Sequence, residues 1–235
     1  ITEASNAGSY RQLDLLMTKA IGAFGLTRFG YVARSLDSLS KDNPVIVRHT
    51  YPKAWVDYYL ENEYYLIDPV TIQGEKDILP FEWGGCDYIK KLSKTESRVF
   101  NEGGEFLIRN GFTIPIHGRG GESATMSLAG AERQKDFTHQ INQHRHALHI
   151  ISVYYHQRLK ELYLGSKETI YTLTNRELEC LTWASAGKTY AEIALILSRS
   201  RNTVIFHIQN AKHKLGVRSI NHAIAKAIQA SIIHP

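Results

Sequence analysis

The sequence predicts an α+β protein of two domains. Helices surround antiparallel strands in the first domain, and four short helices make up the second. Strand-like runs with a hairpin signal occur only in the first 130 residues. After residue 172, apolar residues recur at helical spacing alone. The length of 235 residues suits two modest domains.

The elements of the first domain follow from spacing and from turn residues. Apolar residues at helical spacing predict a first helix. Pro52 suits the first turn of a later helix, and Gly111 is placed to stop another. A polar loop at 38–44 separates the first two strands, and the glycine-rich stretch 118–121 between the last two is typical of a hairpin. The predicted helices are 9–25, 52–62, 94–110 and 132–163, and the predicted strands are 29–33, 45–51, 78–83, 112–117 and 123–130.

The second domain opens on a capping box, in which the Thr174 hydroxyl and the Glu177 carboxylate each satisfy a free backbone donor. Gly187 is placed to end the helix that this box begins. A short helix at 189–197, a three-residue turn ending in the N-cap residue Ser200 and a helix at 201–215 then make a helix-turn-helix arrangement. A fourth helix is predicted at 219–231.

The helix at 201–215 has two distinct faces. One face is apolar at the spacing of a buried stripe, and its neighbour carries basic and amide side chains with no obvious core to face. Such a face suits the major groove of DNA, where Gln, Arg and Lys pair with base edges. The apolar stripe is Val204, Ile208, Ala211 and Leu215, and the polar one is Arg201, Ile205, Gln209 and Lys212.

The charge distribution agrees with a polyanionic partner for the second domain. Residues 172–235 hold eight Lys or Arg and three Asp or Glu, whereas residues 1–171 hold twenty of each. The entire net charge of +5 therefore lies on the segment with the helix-turn-helix pattern. No run resembles a signal peptide or a membrane span, and Cys86 and Cys180 lie in unrelated contexts, so we expect a reducing cytoplasm and no membrane partner.

The second domain resembles the DNA-binding domain of LuxR-type regulators across residues 172–232. The alternative for these residues is a small helical bundle that binds no nucleic acid. The resemblance rests on Leu173-Thr174-x-Arg176-Glu177-x-Glu179-Cys180-Leu181-x-Trp183, on Gly187-Lys188-Thr189-Tyr190-x-Glu192-Ile193-Ala194-x-Ile196-Leu197 and on Thr203-Val204-x-Phe206-His207-Ile208-x-Asn210-Ala211-x-x-Lys214-Leu215.

This resemblance implies base contacts from the helix at 201–215 and phosphate contacts around it. We expect Gln209 to reach a base edge, such as adenine, and Ile205 or Phe206 to touch a thymine methyl. Relatives often carry basic or small polar residues at positions 205 and 209, so the operator sequence of a relative cannot be assumed for this protein. The expected DNA-binding set is completed by Lys188, Thr189, Arg201, Asn202, Thr203 and Lys212, mainly for phosphates.

The first domain holds an aromatic and carboxylate set. Tyr51, Trp55 and Tyr59 lie four residues apart on one helix face, Asp68 is held extended by the following proline, and Trp83 comes later. Trp donates one hydrogen bond, an ionised Asp only accepts and Tyr does both. A ligand with an amide has both the carbonyl and the N–H that this set requires. From spacing alone, the simpler interpretation is an ordinary aromatic core in which Asp68 caps a loop.

A second resemblance favours the ligand. Thr50-Tyr51-Pro52-x-x-Trp55-x-x-x-Tyr59, Asp68-Pro69, Phe81-x-Trp83 and 111–118 are similar to the acyl-homoserine-lactone-binding domain of quorum-sensing LuxR-type receptors. The resemblance implies an α/β/α sandwich with an antiparallel sheet. Trp55 would bond the lactone carbonyl and Asp68 the amide N–H, while Tyr59 and Ser127 would approach the amide carbonyl. Tyr51 and Trp83 would line the pocket, and Gly111 matches a glycine with a structural role.

Other classes of function find less support. A response regulator needs a parallel α/β receiver with an acidic cluster after its first strand, and here Arg34 follows that strand. A hydrolase acting on the same lactone needs a catalytic set, and no Ser-His-Asp or Cys-His arrangement stands out. Five histidines crowd residues 139–156, but they offer only one pair three residues apart, so we expect no metal site.

The sequence therefore predicts an autoinducer-binding domain at 1–162, a linker at 163–171 and a helix-turn-helix domain at 172–235. We expect a cytoplasmic, homodimeric transcription regulator that controls quorum-sensing genes, not an enzyme. It would take an N-acyl-homoserine lactone as its signal, need no cofactor, bind palindromic double-stranded DNA and contact RNA polymerase if it activates transcription.

Overall fold

The computed structural model describes residues 6–34, 36, 45–118, 121–130, 133–165, 173–230 and 232–234. The chain divides into two compact units, one built on a β-sheet and the other from helices alone. The predicted loop at 38–44, the tip of the predicted hairpin and most of the predicted linker lie outside the described residues.

The first unit is built on a five-stranded antiparallel sheet with the strand order β2-β1-β5-β4-β3. This order confirms the predicted antiparallel sheet and excludes the parallel receiver of a response regulator. The strands are β1 (Arg28–Arg34), β2 (Ile46–His49), β3 (Phe81–Gly84), β4 (Asn110–His117) and β5 (Ser123–Gly130).

Helices cover both faces of the sheet, as the α/β/α expectation requires. On one face, the buried side chains of α1 and α6 pack against alternate residues of β1, β4 and β5. On the other face, α2, α3 and α5 enclose a second, aromatic core. The helices are α1 (Tyr10–Gly22), α2 (Lys53–Glu61), α3 (Pro69–Gly74), α4 (Gly85–Ile89), α5 (Lys94–Glu105) and α6 (Gln134–Gly165), with a 3₁₀ turn at Tyr64–Leu66.

Strand β1 shows how the sequence separates these two faces. Phe29 and Tyr31 are fully buried against the α1 and α6 layer, whereas Gly30 and Val32 are half-buried on the opposite side. Successive side chains of a strand point to opposite faces, so this alternation places every second residue of β1 toward the aromatic core.

Several predicted boundaries are corrected by the structure. The helix predicted at 94–110 ends at Glu105, Leu107 adopts a φ of +61°, and Gly111 belongs to β4. The apolar residues at 106–108 continue the helical spacing, so the pattern alone gave no sign of the end. Pro52 is the N-cap of α2 and does not lie in its first turn. The short helices α3 and α4 and the 3₁₀ turn were not predicted, because each is too short to show a period.

The second unit has the four predicted helices: α7 (Asn175–Ser185), α8 (Tyr190–Ile196), α9 (Arg201–Lys214) and α10 (Ile220–Gln229). The predicted capping box at Thr174 is confirmed, and Thr189 forms a second one. Ser200 is confirmed as the N-cap of α9, since its side chain accepts from the Thr203 N–H. The predicted apolar stripe of α9 is at most 1% exposed, which confirms that it faces the core.

Within the described residues, no helix combines the length and apolar character that a membrane crossing requires. The same residues contain no cluster of three or more His, Cys, Asp or Glu that could hold a metal ion.

Candidate ligand cavity and nucleic-acid interface

A cavity of about 500 Å³ lies between the sheet and the helices α2, α3 and α5. All six residues predicted for ligand binding contribute to its wall: Tyr51, Trp55, Tyr59, Asp68, Trp83 and Ser127. The rest of the wall is mainly apolar, with valines from β1 and β2 and with Val99, Phe100 and Ile108 from and after α5. An apolar cavity with a few convergent polar groups is the usual form of a small-molecule site.

The sheet register explains which strand residues face the cavity. His49 pairs with Gly30, Gly30 with Ser127, and Ser127 with Thr113, so these four form one row across β2, β1, β5 and β4. Along β1 the cavity wall continues from Gly30 through Val32 to Arg34. The Arg34 guanidinium forms an ion pair with the carboxylate of Glu75, the residue directly after α3. The cross-strand row cannot be predicted from spacing in the sequence, because it depends on which strands are neighbours in the sheet.

Asp68 has two roles in the local structure. Its Oδ1 accepts from the Val70 N–H at 2.9 Å and thereby caps α3, while its Oδ2 accepts from the Tyr59 hydroxyl at 2.9 Å. Burial raises the pKa of the Asp68 carboxyl, and these two hydrogen bonds oppose the rise. The predicted alternative, a capping Asp in an aromatic core, therefore describes part of what Asp68 does, but the residue also lines a cavity.

The two tryptophans of the cavity wall differ in their hydrogen bonding. The Trp83 indole N–H donates to the Thr113 hydroxyl at 2.9 Å, and that hydroxyl lies 2.8 Å from the Ser127 hydroxyl. The Trp55 indole is 6% exposed, and its N–H has no acceptor among the residues that the structure describes. Trp55 therefore keeps a donor for a ligand, whereas the Trp83 donor is already used.

Two glycines of the sheet make room for aromatic rings. A Cβ on Gly111 would lie 2.0 Å from Cζ2 of Trp83, which pairs with it across the strands. A Cβ on Gly30 would lie 2.6 Å from Cε2 of Tyr51. The Trp83 indole thus occupies the space that a side chain at position 111 would need, which gives the predicted structural role of this glycine a physical cause.

Tyr51 also keeps a hydroxyl group for a ligand. Its O–H has no hydrogen-bond partner within the described part of the chain, and its ring stacks on His49 at 11° with the ring centroids 6.3 Å apart. Burial, together with the nearby Asp68 carboxylate, raises the pKa of the Tyr51 hydroxyl. The group therefore stays protonated and can donate.

The sequence analysis missed two residues: His49, which lines the cavity, and Thr113, which hydrogen-bonds to the lining residues Trp83 and Ser127. Thr113 is a fully buried hydroxyl between the apolar residues Phe112 and Ile114, which is a signal that could have found it. His49 stands two residues before Tyr51 on a strand whose side chains alternate, so its position on the cavity face follows from the register alone.

In the second unit, α9 presents the predicted polar stripe to solvent. Arg201 and Gln209 are exposed, Ile205 and Lys212 are partly exposed, and Phe206 is 60% exposed. Lys188, Thr189 and Asn202 are also exposed, and Thr203 is half-buried. The Lys212 ammonium donates to the Gln209 side-chain oxygen at 3.0 Å, so the two polar residues of this stripe are coupled.

An ion pair between a buried carboxylate and an exposed lysine joins α9 to α7. Glu177 is 3% exposed, and its carboxylate accepts from Nζ of Lys214 at 2.8 Å and from the Thr174 N–H at 2.8 Å. Burial favours the neutral acid, but these hydrogen bonds outweigh it and lower the pKa of the Glu177 carboxyl. The capping box was predicted from the sequence, but its link to Lys214 was not.

Two family models match the chain. The one described as "Autoinducer binding domain" matches residues 10–159, and the one described as "Bacterial regulatory proteins, luxR family" matches residues 171–227.

Similar proteins match over nearly the whole length. The chain is 32% identical to the transcriptional activator protein EchR of Dickeya chrysanthemi over 228 residues, which cover 93% of this chain and 90% of EchR. It is 32% identical to the transcriptional activator protein BjaR1 of Bradyrhizobium diazoefficiens over 232 residues, which cover 97% of this chain and 93% of BjaR1.

Solved structures share the fold. The structure of SdiA in complex with octanoyl-rac-glycerol matches with a TM-score of 0.71 at 20% identity, covering 100% of this chain and 93% of that one. A crystal structure of Escherichia coli SdiA gives the same TM-score and identity, with 96% of that chain covered.

Proposed function

Since the chain belongs to the LuxR family of bacterial regulators, with an autoinducer-binding domain followed by a helix-turn-helix DNA-binding domain, we propose that its signal is an N-acyl-homoserine lactone bound in the cavity of the first unit. The protein is a ligand-responsive transcription regulator, and the family consists of regulators and not of enzymes. The signal is a ligand and not a cofactor.

The observation that carries this proposal is the set of hydrogen-bonding groups left over in the cavity. The wall offers a carboxylate acceptor at Asp68 and two donors that find no partner among the described residues, the Trp55 indole and the Tyr51 hydroxyl. A lactone joined to an acyl chain through an amide has one N–H and two carbonyls, which match one acceptor and two donors.

We assign the groups as follows. Asp68 accepts the amide N–H, and the Trp55 indole donates to the lactone carbonyl. The predicted contact of Tyr59 with the amide carbonyl competes with Asp68, because the Tyr59 proton is directed at that carboxylate. Tyr51 is therefore the hydroxyl donor with its proton free for the amide carbonyl. When the Thr113 hydroxyl donates to the Ser127 hydroxyl, the proton of Ser127 is free. Ser127 can then donate a second hydrogen bond to the amide carbonyl.

The proposal is tested by identifying what the protein binds. Protein expressed beside a lactone synthase is extracted with organic solvent, and mass spectrometry should find an acyl-homoserine lactone at about one per chain. Recovery of fatty acids or acylglycerols alone would overturn the proposal. SdiA has been solved in complex with octanoyl-rac-glycerol, so that compound is a suitable comparison ligand. Its ester has no amide N–H, so it cannot make the proposed hydrogen bond to Asp68.

The assigned orientation has its own test. A ligand whose ring lacks the carbonyl should bind the wild type poorly and lose little further on Trp55→Phe, because the bond that this change removes is already absent. If the intact lactone and this analogue lose equal affinity on Trp55→Phe, the indole packs but does not pair, and the orientation is wrong.

The second unit is proposed to read a palindromic operator as part of a homodimer. A twofold protein reads two half-sites about 34 Å apart when each helix-turn-helix enters a major groove. Gln209 is assigned to a base edge, and Ile205 or Phe206 to a thymine methyl. Phosphate contacts are assigned to Lys188, Thr189, Arg201, Asn202, Thr203 and Lys212, of which Thr189 and Thr203 already serve as helix-capping partners.

An apolar stripe on α6 supports the homodimer. Ile150, Val153 and Tyr154 are 49%, 40% and 43% exposed and lie at helical spacing on one face. Sedimentation equilibrium should find a dimer that Val153→Lys weakens; a monomer that binds the operator as one unit would overturn the assignment. We place the regulator in the cytoplasm, where the promoter lies, and expect contact with RNA polymerase if it activates transcription.

A further inference from the structure

The sheet side of the ligand cavity is made of successive cross-strand rows. Gly30 and Ser127 pair in the first row, and Val32 pairs with Val47 in the second. Arg34 follows two residues later and is the last residue of β1. Alternate residues of a strand share a face, so successive rows lie about 7 Å apart. The wall therefore changes along β1 from polar through apolar to charged.

Helix α3 follows the same stretch of the cavity from the other side. It begins at its N-cap Asp68, one of the polar groups of the wall, and ends at Gly74, directly before Glu75. A Cβ on Gly74 would lie 2.5 Å from Cγ2 of Thr125, which pairs with Val32. The end of α3 therefore lies beside the second row, and α3 and β1 lead from the polar groups to the same end of the cavity.

At that end, Arg34 and Glu75 form an ion pair in which Nε of Arg34 lies 2.7 Å from Oε1 of Glu75. The pair joins the end of β1 to the residue after α3, so it bridges the two walls. The side chains are 38% and 44% exposed, so both charges remain in contact with water. The recess beside the pair, which both residues line, has a volume of about 10 Å³. It has room for about one water molecule and cannot take a hydrocarbon chain.

The ring of the proposed ligand occupies the opposite end of the cavity. Trp55, which is assigned to the lactone carbonyl, packs beneath α5, since a Cβ on Gly103 would lie 3.4 Å from its Cζ2. Trp83 packs there too, with its ring centroid 5.8 Å from that of Phe100. The acyl chain therefore extends from the amide toward Val32 and the ion pair. Burial against valine favours a hydrocarbon chain, whereas the displacement of water from an ion pair opposes it.

The length of this channel follows from the strand. Four residues of β1 lead from Gly30, in the row of Ser127, to Arg34, and they span about 13 Å. The last carbon must stop about 4 Å short of the guanidinium, at contact distance. An extended chain with C–C bonds of about 1.5 Å advances by about 1.3 Å per carbon. The remaining distance of about 9 Å therefore holds about seven carbons beyond the amide carbonyl carbon.

We propose that the Arg34–Glu75 ion pair ends the acyl-chain channel, so that this receptor prefers acyl chains of about eight carbons. The inference rests on the proposed function, since it presupposes an acylated lactone with its amide at Ser127. Arg34 is the specificity-determining residue at the cavity wall, and Glu75 is a positioning residue that holds the guanidinium there.

The test measures the affinity of the full-length protein for unsubstituted N-acyl-homoserine lactones, in an even-numbered series from butanoyl to dodecanoyl. For the wild type, affinity should rise roughly fourfold per added methylene as far as octanoyl and should level off or fall beyond it. Arg34→Met keeps a side chain of similar length without the charge, so the rise should continue to dodecanoyl. Arg34→Lys keeps a charge and should retain the limit. Glu75→Gln no longer holds the guanidinium in place and should also extend the rise.

A matched control separates the ion pair from a general loss of charge. Lys53→Met removes an exposed ion pair with Asp57 on α2, and neither residue lines the cavity, so the length profile should stay that of the wild type. Exposed ion pairs contribute little to stability, so all four variants should unfold at nearly the wild-type temperature without ligand.

The outcomes distinguish the two levels of inference. If the wild type binds no lactone of any length, the proposed function fails. Lactone binding stands and the role of the ion pair is overturned by any of four results: wild-type affinity that rises steadily to dodecanoyl, a wild-type profile in Arg34→Met or Glu75→Gln, loss of the limit in Arg34→Lys, or equal weakening of all lengths in Arg34→Met.

Discussion

Replacing Gly111 by alanine tests the packing on which the cavity wall depends. A Cβ at this position would lie 2.0, 2.1 and 2.6 Å from three carbons of the Trp83 indole, whereas carbon atoms in good contact are about 3.5–4.0 Å apart. The indole must therefore move by more than 1 Å, roughly the shortfall in that contact distance. Such a shift breaks its 2.9 Å hydrogen bond to Thr113.

The expected loss of stability has two sources. Overpacking of a close-fitting site costs about 1–3 kcal/mol, and an indole N–H left buried without its acceptor costs about 1–3 kcal/mol more. The sum of about 2–6 kcal/mol is a large part of the stability of an ordinary domain. Urea unfolding followed by tryptophan fluorescence should show the loss, and the affinity for the signal should fall with it because Trp83 lines the cavity.

Gly104→Ala is the matched control. Gly104 lies within α5, and a Cβ there meets nothing within 4 Å, so the change should be neutral or stabilise by up to about 1 kcal/mol through helix propensity. The double variant Gly111→Ala with Trp83→Leu should lose less than the two single losses added, because the smaller side chain relieves the clash. A Gly111→Ala protein as stable as the wild type would refute the argument.

Three further predictions concern the signal, the operator and the acid limit of the fold. Asp68→Asn keeps the N-cap of α3 but replaces the charged acceptor, so affinity for an acyl-homoserine lactone should fall by roughly ten- to a hundredfold in calorimetry; unchanged affinity would contradict the assignment. Gln209→Ala should relax preference at one base pair at a cost of about 1–3 kcal/mol, whereas Lys212→Ala should weaken binding to all sequences and flatten the salt slope; equal losses on specific and random DNA for Gln209→Ala would remove its base-reading role. The ionised Glu177 carboxylate stabilises the folded state, because its pKa is lowered there. This stabilisation is fully present above the ordinary glutamate pKa of about 4.3 and is lost as the pH falls through the pKa of Glu177 in the folded protein. Acid unfolding of Glu177→Gln should therefore be less steep than that of the wild type, and parallel curves would contradict this.

The second unit could be predicted almost completely from the sequence because its determinants are local. Each helix begins at a Thr or Ser whose side chain caps the backbone within three residues, and the buried stripe of α9 follows from spacing alone. The ion pair between Glu177 and Lys214 joins residues 37 positions apart, so no local pattern shows it.

The first unit was less predictable because its determinants are long-range. The strands could be recognised one by one, but their order depends on pairings between distant residues. The end of α5 was missed because Leu107 occupies a left-handed conformation that is usually occupied by glycine. A glycine at this position would have indicated the end of the helix. The aromatic and carboxylate set was found from spacing, and the resemblance favoured a ligand for it and added Ser127, whereas the positions of Thr113 and His49 follow only from the register.

The place of β2 at the end of the sheet bears on how such a receptor can diverge. β2 pairs with β1 on one side only, whereas β1, β5 and β4 each pair on both sides. Val47 and His49 therefore shape the cavity from a strand that no other described strand depends on for its pairing. Asp68 and Trp55 lie on separate helical elements. If Asp68 and Trp55 hold the head group of the signal as proposed, substitutions in the four residues of β2 can change the preference for the rest of the ligand without changing head-group binding or the pairing of the other described strands.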